Sequence, residues 1–182
     1  GVGSLQGVHT LRTLEDALAV RGALDAGASR VVVVGAGFIG AEVAASCRQR
    51  GAAVTLVEPL VQPLARVLPA EVGAVLAEVH RSHGVDVRLG VGVESLEGSG
   101  PAAGVRLADG TSVPADVVVV GIGVVPATRW LEGSGLTLDD DGVLCDETTL
   151  AAPGVVAAGD VARWPNPRYG EDPVDYSVPA EL

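Results

Sequence analysis

Residues 30–58 read Arg30-Val31-Val32-Val33-Val34-Gly35-Ala36-Gly37-Phe38-Ile39-Gly40-Ala41-Glu42-Val43-Ala44-Ala45-Ser46-Cys47-Arg48-Gln49-Arg50-Gly51-Ala52-Ala53-Val54-Thr55-Leu56-Val57-Glu58. Four valines in a row form a β-branched run with no polar face, the pattern of a strand buried on both sides. A glycine-rich turn follows at 35–40. Residues 39–50 then read as a helix, closed by Gly51 at a position where glycine suits the left-handed backbone of a helix end. A second buried strand covers 53–57, with Glu58 at its C-terminal end. Strand, turn, helix and strand in so short a span make a βαβ unit. Its two strands pair in parallel through a right-handed crossover.

The same pattern extends in both directions. Toward the N-terminus, 11–24 reads as a helix. Thr13 caps it with Asp16 three residues on, and Leu14, Leu18 and Val20 are expected on its apolar face. Toward the C-terminus, Pro69 opens a helix over 70–82, and 85–89 is a strand. From 91 to 113 the pattern changes to short alternating pieces. Turn signals at Gly98-Ser99-Gly100-Pro101 and Asp109-Gly110 point to an inserted antiparallel meander. Residues 116–120 form another buried strand, ending at Gly121-Ile122-Gly123. A polar stretch at 139–142 precedes an apolar strand at 155–158 and the pair Gly159-Asp160. The tail, rich in Pro, Asp and Tyr, reads as irregular. The fold class is α/β: a Rossmann-like parallel sheet with helices and an inserted antiparallel β-meander.

Composition narrows the function classes. The chain has 182 residues, 48% hydrophobic and 19% charged, enough for a packed core without disulfide or metal staples. Its net charge is −11, with 12 basic residues, all arginine, against 23 acids. That balance argues against nucleic-acid binding and against docking on anionic membranes. No apolar run approaches the roughly 18 residues of a spanning helix. The N-terminus lacks a basic head and an apolar segment, so no signal peptide is expected and the location reads as cytoplasmic. Cys47 and Cys145 form no CxxC, and a reducing compartment follows. With no methionine and a start at Gly1, the chain reads as a piece of a longer product.

The motif Gly35-Ala36-Gly37-Phe38-Ile39-Gly40 is weak evidence in isolation. Here it follows a buried strand, opens a helix and is succeeded about 20 residues on by an acid at the next strand end, the context of a dinucleotide site. Gly35 permits the tight turn, Gly37 lets backbone approach a pyrophosphate, and Gly40 allows close helix–strand packing. The helix N-terminus offers N–H groups and partial positive charge to phosphate. Glu58 can accept from ribose hydroxyls, and its charge suits the free 2′-hydroxyl of NAD over a 2′-phosphate. Arg66 either reaches the adenosine or is a solvated surface arginine. Glu42 either complements the helix start or lies beside the nicotinamide. Gly121, Ile122 and Gly123 end a parallel strand, where ligands of open α/β sheets bind. Asp160 is a second acid at a strand end. His80 and His83 share a helix face but have no third partner of metal-ligand spacing, so no metal site is expected. No catalytic residue is assigned.

Together these residues resemble the pyridine nucleotide–disulfide oxidoreductase superfamily, and within it the ferredoxin or rubredoxin reductase-type flavoproteins. The resemblance runs from about His9 to Arg163. It rests on Leu11-Arg12-Thr13-Leu14-Glu15-Asp16-Ala17, on Val34 through Glu42, on Val57-Glu58, on Val120 through Pro126 and on Val156 through Ala162. It implies NADH contacts at the glycine turn (Phe38 and Ile39 included), at Glu42 near the nicotinamide, at Glu58 and Arg66 near the adenosine, and at the turn at 121–123. It implies that Asp160 belongs to an FAD site. It further implies a division into an NAD(P)-binding domain at 1–147 and a return segment of an FAD domain at 148–182. NAD(H) is then preferred over NADP(H), FAD belongs to the full-length parent, and the electron acceptor is a ferredoxin-like iron–sulfur protein. The family's N-terminal FAD domain and C-terminal interface domain are not found in this sequence, and its aromatic segment near the flavin is not recognisable in Tyr176 through Leu182, so the piece alone, lacking a hydride acceptor, is expected to be inactive. The apolar strand at 155–158 is expected to present an open edge, with folding back or a homodimer as outcomes. Other reductases with this domain, of nitrite reductase or monodehydroascorbate reductase type, and a stand-alone NAD-binding module, are the competing readings.

Overall fold

The computed structural model describes residues 7–97, 103–139 and 142–165. The chain divides into two compact units, Gly1–Ile122 and Gly123–Leu182.

The first unit is built on a parallel sheet. Its elements are β1 (Val8–His9), α1 (Leu14–Asp25), β2 (Arg30–Val34), α2 (Phe38–Gln49), β3 (Ala53–Glu58), α3 (Ala70–Ser82) and β4 (Asp86–Leu89). There follow β5 (Val93–Glu97), β6 (Ala103–Leu107), β7 (Ser112–Ala115) and β8 (Val117–Val120). The sheet order is β1-β8-β2-β3-β4, with every pairing parallel. β2 lies at the centre, and Val31–Val34 bond β3 on one side and β8 on the other. Its alternate valines serve different layers. Val31 and Val33 pack with Val20 of α1, with Val43, Ala44 and Cys47 of α2, and with Ala77 of α3. Val32 and Val34 pack with Val105, Leu107, Val113 and Ala115 of the meander. Helices therefore cover one face of the sheet and the antiparallel sheet β5-β6-β7 covers the other.

The α/β class and the inserted meander match the sequence reading, and element bounds agree within one or two residues except at the first helix, which begins at Leu14 and not at residue 11. Thr13 caps α1 as expected: its hydroxyl accepts from the Asp16 N–H, and the Asp16 carboxylate accepts from the Thr13 N–H. The expected apolar face of α1 is corrected. Leu14 and Leu18 are 69% and 52% exposed, and Val20 is the buried residue of the helix. Positions 18 and 20 lie about 200° apart around a helix, so they cannot share a face. The strand β1 was not expected, because two residues give periodicity nothing to act on.

The start of the sheet is pinned by Asp116. Its carboxylate accepts from the Ser29 N–H at 3.0 Å, the Arg30 N–H at 2.9 Å and the Arg30 guanidinium at 2.5 Å. The Arg30 guanidinium and these backbone donors hold its carboxyl well below the usual carboxylate range.

In the second unit, β9 (Leu138–Asp139) and β10 (Gly142–Leu144) pair antiparallel. β11 (Leu150–Ala152) and β12 (Val155–Val156) form an antiparallel hairpin. β13 (Ala162–Arg163) lies parallel to β10. An ion pair joins Arg163 to Asp139. The strand expected over 155–158 is thus only two residues long and folds back on β11. The turn expected at 98–101 and the irregular tail beyond 165 lie outside the described residues. Among the described residues no helix is long and apolar enough to cross a membrane.

Candidate functional site

The three glycines of the turn are constrained very differently. Gly35 has φ +96, and a Cβ there would stand 2.4 Å from the Gly121 carbonyl oxygen. A Cβ on Gly40 would stand 1.8 Å from the Gly35 carbonyl oxygen. Both positions must be glycine for the turn, α2 and the end of β8 to approach. Gly37 has no such reason: φ is −71 and nothing lies within 4 Å of where its Cβ would be. The fold leaves that space open, and it opens at the start of α2. Gly37 is the N-cap of that helix, which has no side-chain cap and no acid in its first turn. Its leading N–H groups therefore keep their capacity to bond an anion.

Glu58 ends β3 directly across from the turn. It is buried, 9% exposed, and both carboxylate oxygens are engaged. Oε2 accepts from the Ala36 N–H at 2.6 Å, and Oε1 accepts from the Leu60 N–H at 3.0 Å. The Ala36 carbonyl accepts in turn from the Leu64 N–H at 3.0 Å. The segment after β3 thus holds Ala36 by both of its peptide groups. Each carboxylate oxygen keeps further acceptor capacity for a hydroxyl donor.

The structure brings Gly35, Gly37, Gly40, Glu58 and Gly121 to one place, the C-terminal ends of β2, β3 and β8. The Gly121 N–H donates to the Val34 carbonyl at 2.8 Å, and a Cβ on Gly121 would lie 3.8 Å from Ile39 Cγ2. Phe38, 62% exposed, and the exposed Ile122 border the same turn. Glu42 is exposed and lies in the second turn of α2, since the helix begins at Phe38. The favourable field of a helix start falls off within the first turn, so the helix dipole gives no strong reason for an acid there. Arg66 is exposed and makes no ion pair among the described residues. Gly123 and Asp160 belong to the second unit. Asp160 is exposed in the short 3-10 turn Gly159–Val161.

Sequence reasoning missed Ala36 and Leu64. Both act through backbone groups, which leave no mark in residue type. The one available signal was Pro63, which precedes Leu64 and is fully buried. Burial pushes the Cys47 thiol up. Burial, with the neighbouring His83, pushes the His80 imidazole down. His83 Nδ1 lies 2.8 Å from the Val79 carbonyl oxygen. No group of three or more metal-ligating side chains occurs among the described residues.

A parallel sheet with its glycine turn at the central strand, and an acid closing the next strand, defines a Rossmann-like domain. The chain belongs to the pyridine nucleotide-disulphide oxidoreductase family, whose model matches residues 1–172. It is 46% identical, over 93% of its length, to the ferredoxin reductase subunit of 5,5′-dehydrodivanillate O-demethylase from Sphingobium sp., of which it spans 41%. It is 44% identical, over 87% of its length, to the ferredoxin–NAD(+) reductase component of the p-cumate 2,3-dioxygenase system of Pseudomonas putida, of which it spans 39%. Among solved structures it resembles putidaredoxin reductase in its covalent complex with putidaredoxin. There the TM-score is 0.78 at 37% identity, covering 90% of this chain and 40% of that one. The chain therefore spans about two fifths of the length of the relatives it matches.

Proposed function

We propose that this chain is the NADH-binding portion of an FAD-dependent reductase that passes electrons to a ferredoxin-like iron–sulfur protein. The observation that carries the reading is the contrast among the glycines. Gly35 and Gly40 are demanded by packing, whereas Gly37 is demanded by nothing in the protein and leaves a methyl-sized space at an uncapped helix start. A pyrophosphate fits that space and the free N–H groups beside it.

In this reading the α2 start holds the pyrophosphate, with Phe38 and Ile39 supplying N–H groups. Glu58 accepts from the adenosine ribose while holding Ala36, and Arg66 flanks the adenosine. Glu42 lies toward the nicotinamide, with the turn at 121–123 beside the cofactor. Residues 1–147 form the NAD(P)-binding domain and 148–182 the return segment of an FAD domain. Asp160, exposed in the turn Gly159–Val161, belongs to the flavin site of that reading. When bound, the nicotinamide supplies a hydride and the flavin passes its electrons on singly. The chain's own contribution is to bind and orient the dinucleotide. Preference for NAD(H) over NADP(H) rests on the Glu58 charge, which repels a 2′-phosphate. The relatives' names, ferredoxin–NAD(+) reductase and a reductase joined to putidaredoxin, support the cofactor and the partner class. A cytoplasmic location accords with that partner class.

The test is a titration of the purified chain with NADH and with NADPH, followed by nicotinamide fluorescence and calorimetry. Saturable NADH binding, about tenfold or more tighter than NADPH, is expected. Tighter NADPH binding would overturn the preference and make Arg66 the phosphate partner. A folded chain that binds neither would overturn the site.

A further inference from the structure

Leu64 is a half-buried, non-glycine residue with φ +53, in the left-handed region that side chains with a Cβ rarely adopt. Such a conformation persists only where the surroundings fix it, and several contacts do so. The Leu64 carbonyl accepts from the Val67 and Leu68 N–H groups, each at 3.0 Å. Pro63 before it is fully buried. The Gln62 side-chain amide donates to the Leu68 carbonyl at 3.1 Å. α3 packs so closely that a Cβ on Gly73 would stand 2.9 Å from the Pro63 carbonyl oxygen. This framework turns the Leu64 N–H onto the Ala36 carbonyl at 3.0 Å, while Glu58 takes the Ala36 N–H at 2.6 Å.

We propose that Leu64 is a positioning residue for the dinucleotide turn: its left-handed backbone holds the Ala36 carbonyl and so fixes the peptide that leads into Gly37. The inference deepens the NADH-binding reading and rests on it. The strain at Leu64 is the conformational cost of presenting one N–H to the turn from outside the βαβ unit. Glu58 and Leu64 together clamp Ala36 from both sides, so the turn is formed before any ligand arrives.

A conformational role and a packing role predict opposite orders for two substitutions. Glycine accepts φ +53 freely but removes the side chain. Valine keeps an apolar side chain but resists the left-handed region because it is β-branched. The experiment compares wild type, Leu64→Gly and Leu64→Val in NADH affinity and in the protection of the residue-64 amide against hydrogen exchange without ligand. The proposal expects Leu64→Gly to bind NADH within about twofold of wild type and Leu64→Val to bind about fivefold or more weakly. The residue-64 amide should be deprotected in the valine variant alone. Valine near wild type with glycine impaired would overturn it. If the valine variant folds too poorly to titrate, Leu64→Asn and Leu64→Thr carry the same comparison between two small polar residues. Asn, which tolerates the left-handed region, should then bind more tightly than Thr. Failure of wild type to bind NADH would overturn the functional reading, whereas the exchange order, read without ligand, tests the clamp independently.

Discussion

Placing a methyl group at Gly37 and at Gly40 in turn separates what the fold needs from what the ligand needs. At Gly40 the new Cβ would stand 1.8 Å from the Gly35 carbonyl oxygen, about half a van der Waals separation. That oxygen cannot retreat easily, because the peptide it belongs to is held by the Ala36 N–H, which donates to Glu58 Oε2 at 2.6 Å. Relief would require α2 to move off the sheet, so Gly40→Ala should cost about 3 kcal/mol or more. For a chain of this size, that lowers Tm by about 6–12 °C. At Gly37 the backbone suits alanine and the space is open. Alanine is a poorer N-cap than glycine by about 0.5–1 kcal/mol, and it restricts the unfolded chain by a similar amount. The two effects offset, and Tm should move by less than about 4 °C. NADH affinity should nevertheless fall about tenfold or more, because the methyl occupies the approach of the pyrophosphate. Thermal unfolding and NADH fluorescence titration on the same preparations give both quantities. A folded Gly37→Ala chain that binds NADH within about twofold of wild type would refute the assignment of the pyrophosphate to Gly37. A Gly40→Ala chain with unchanged Tm would refute the packing argument.

Three further outcomes follow from contacts already described. Glu58→Ala should lower stability by about 1–3 kcal/mol in denaturant unfolding, since it strips the Ala36 N–H of its acceptor, and it should also erase the preference for NADH over NADPH. Asp116→Ala should cost about 2 kcal/mol near neutral pH, discounted for the partial exposure of Arg30. Because the folded-state pKa of Asp116 is depressed, its contribution is complete above the ordinary carboxylate range and is lost as pH falls through and below it. The gap between wild type and variant should therefore narrow in acid unfolding series below about pH 4. Thr13→Ala should cost about 1 kcal/mol by removing the capping box of α1, measured by urea midpoint at constant m.

The parts legible in the sequence were those in which residue type and local geometry coincide. The four valines of β2 lacked any polar face, which identified a central strand. The spacing from Gly35 to Glu58 identified the unit that holds the site. Thr13 and Asp16 marked the start of α1 through side-chain chemistry alone. What sequence did not disclose was carried by backbone or by angle. Leu14 and Leu18 looked like core residues because they are leucines, but the face of α1 that meets the sheet carries Val20. β1 was too short to have a period. The clamp on Ala36 uses peptide groups that every residue possesses, and Leu64 enters it through a conformation its identity disfavours. Glu42 reads differently once α2 is known to begin at Phe38, because it then falls in the second turn.

The Asp116 pin holds β2 and β8 where they begin, whereas the glycine turn, Glu58 and Gly121 lie where the same strands finish. The two ends are separated by a strand of five residues, about 17 Å. Substitutions that tune robustness can accumulate at one rim of the sheet without disturbing recognition at the other. A lineage adapting to heat, or a laboratory hardening the protein for use, can work on Ser29, Arg30 and Asp116 and leave coenzyme choice to evolve separately across the valine strands.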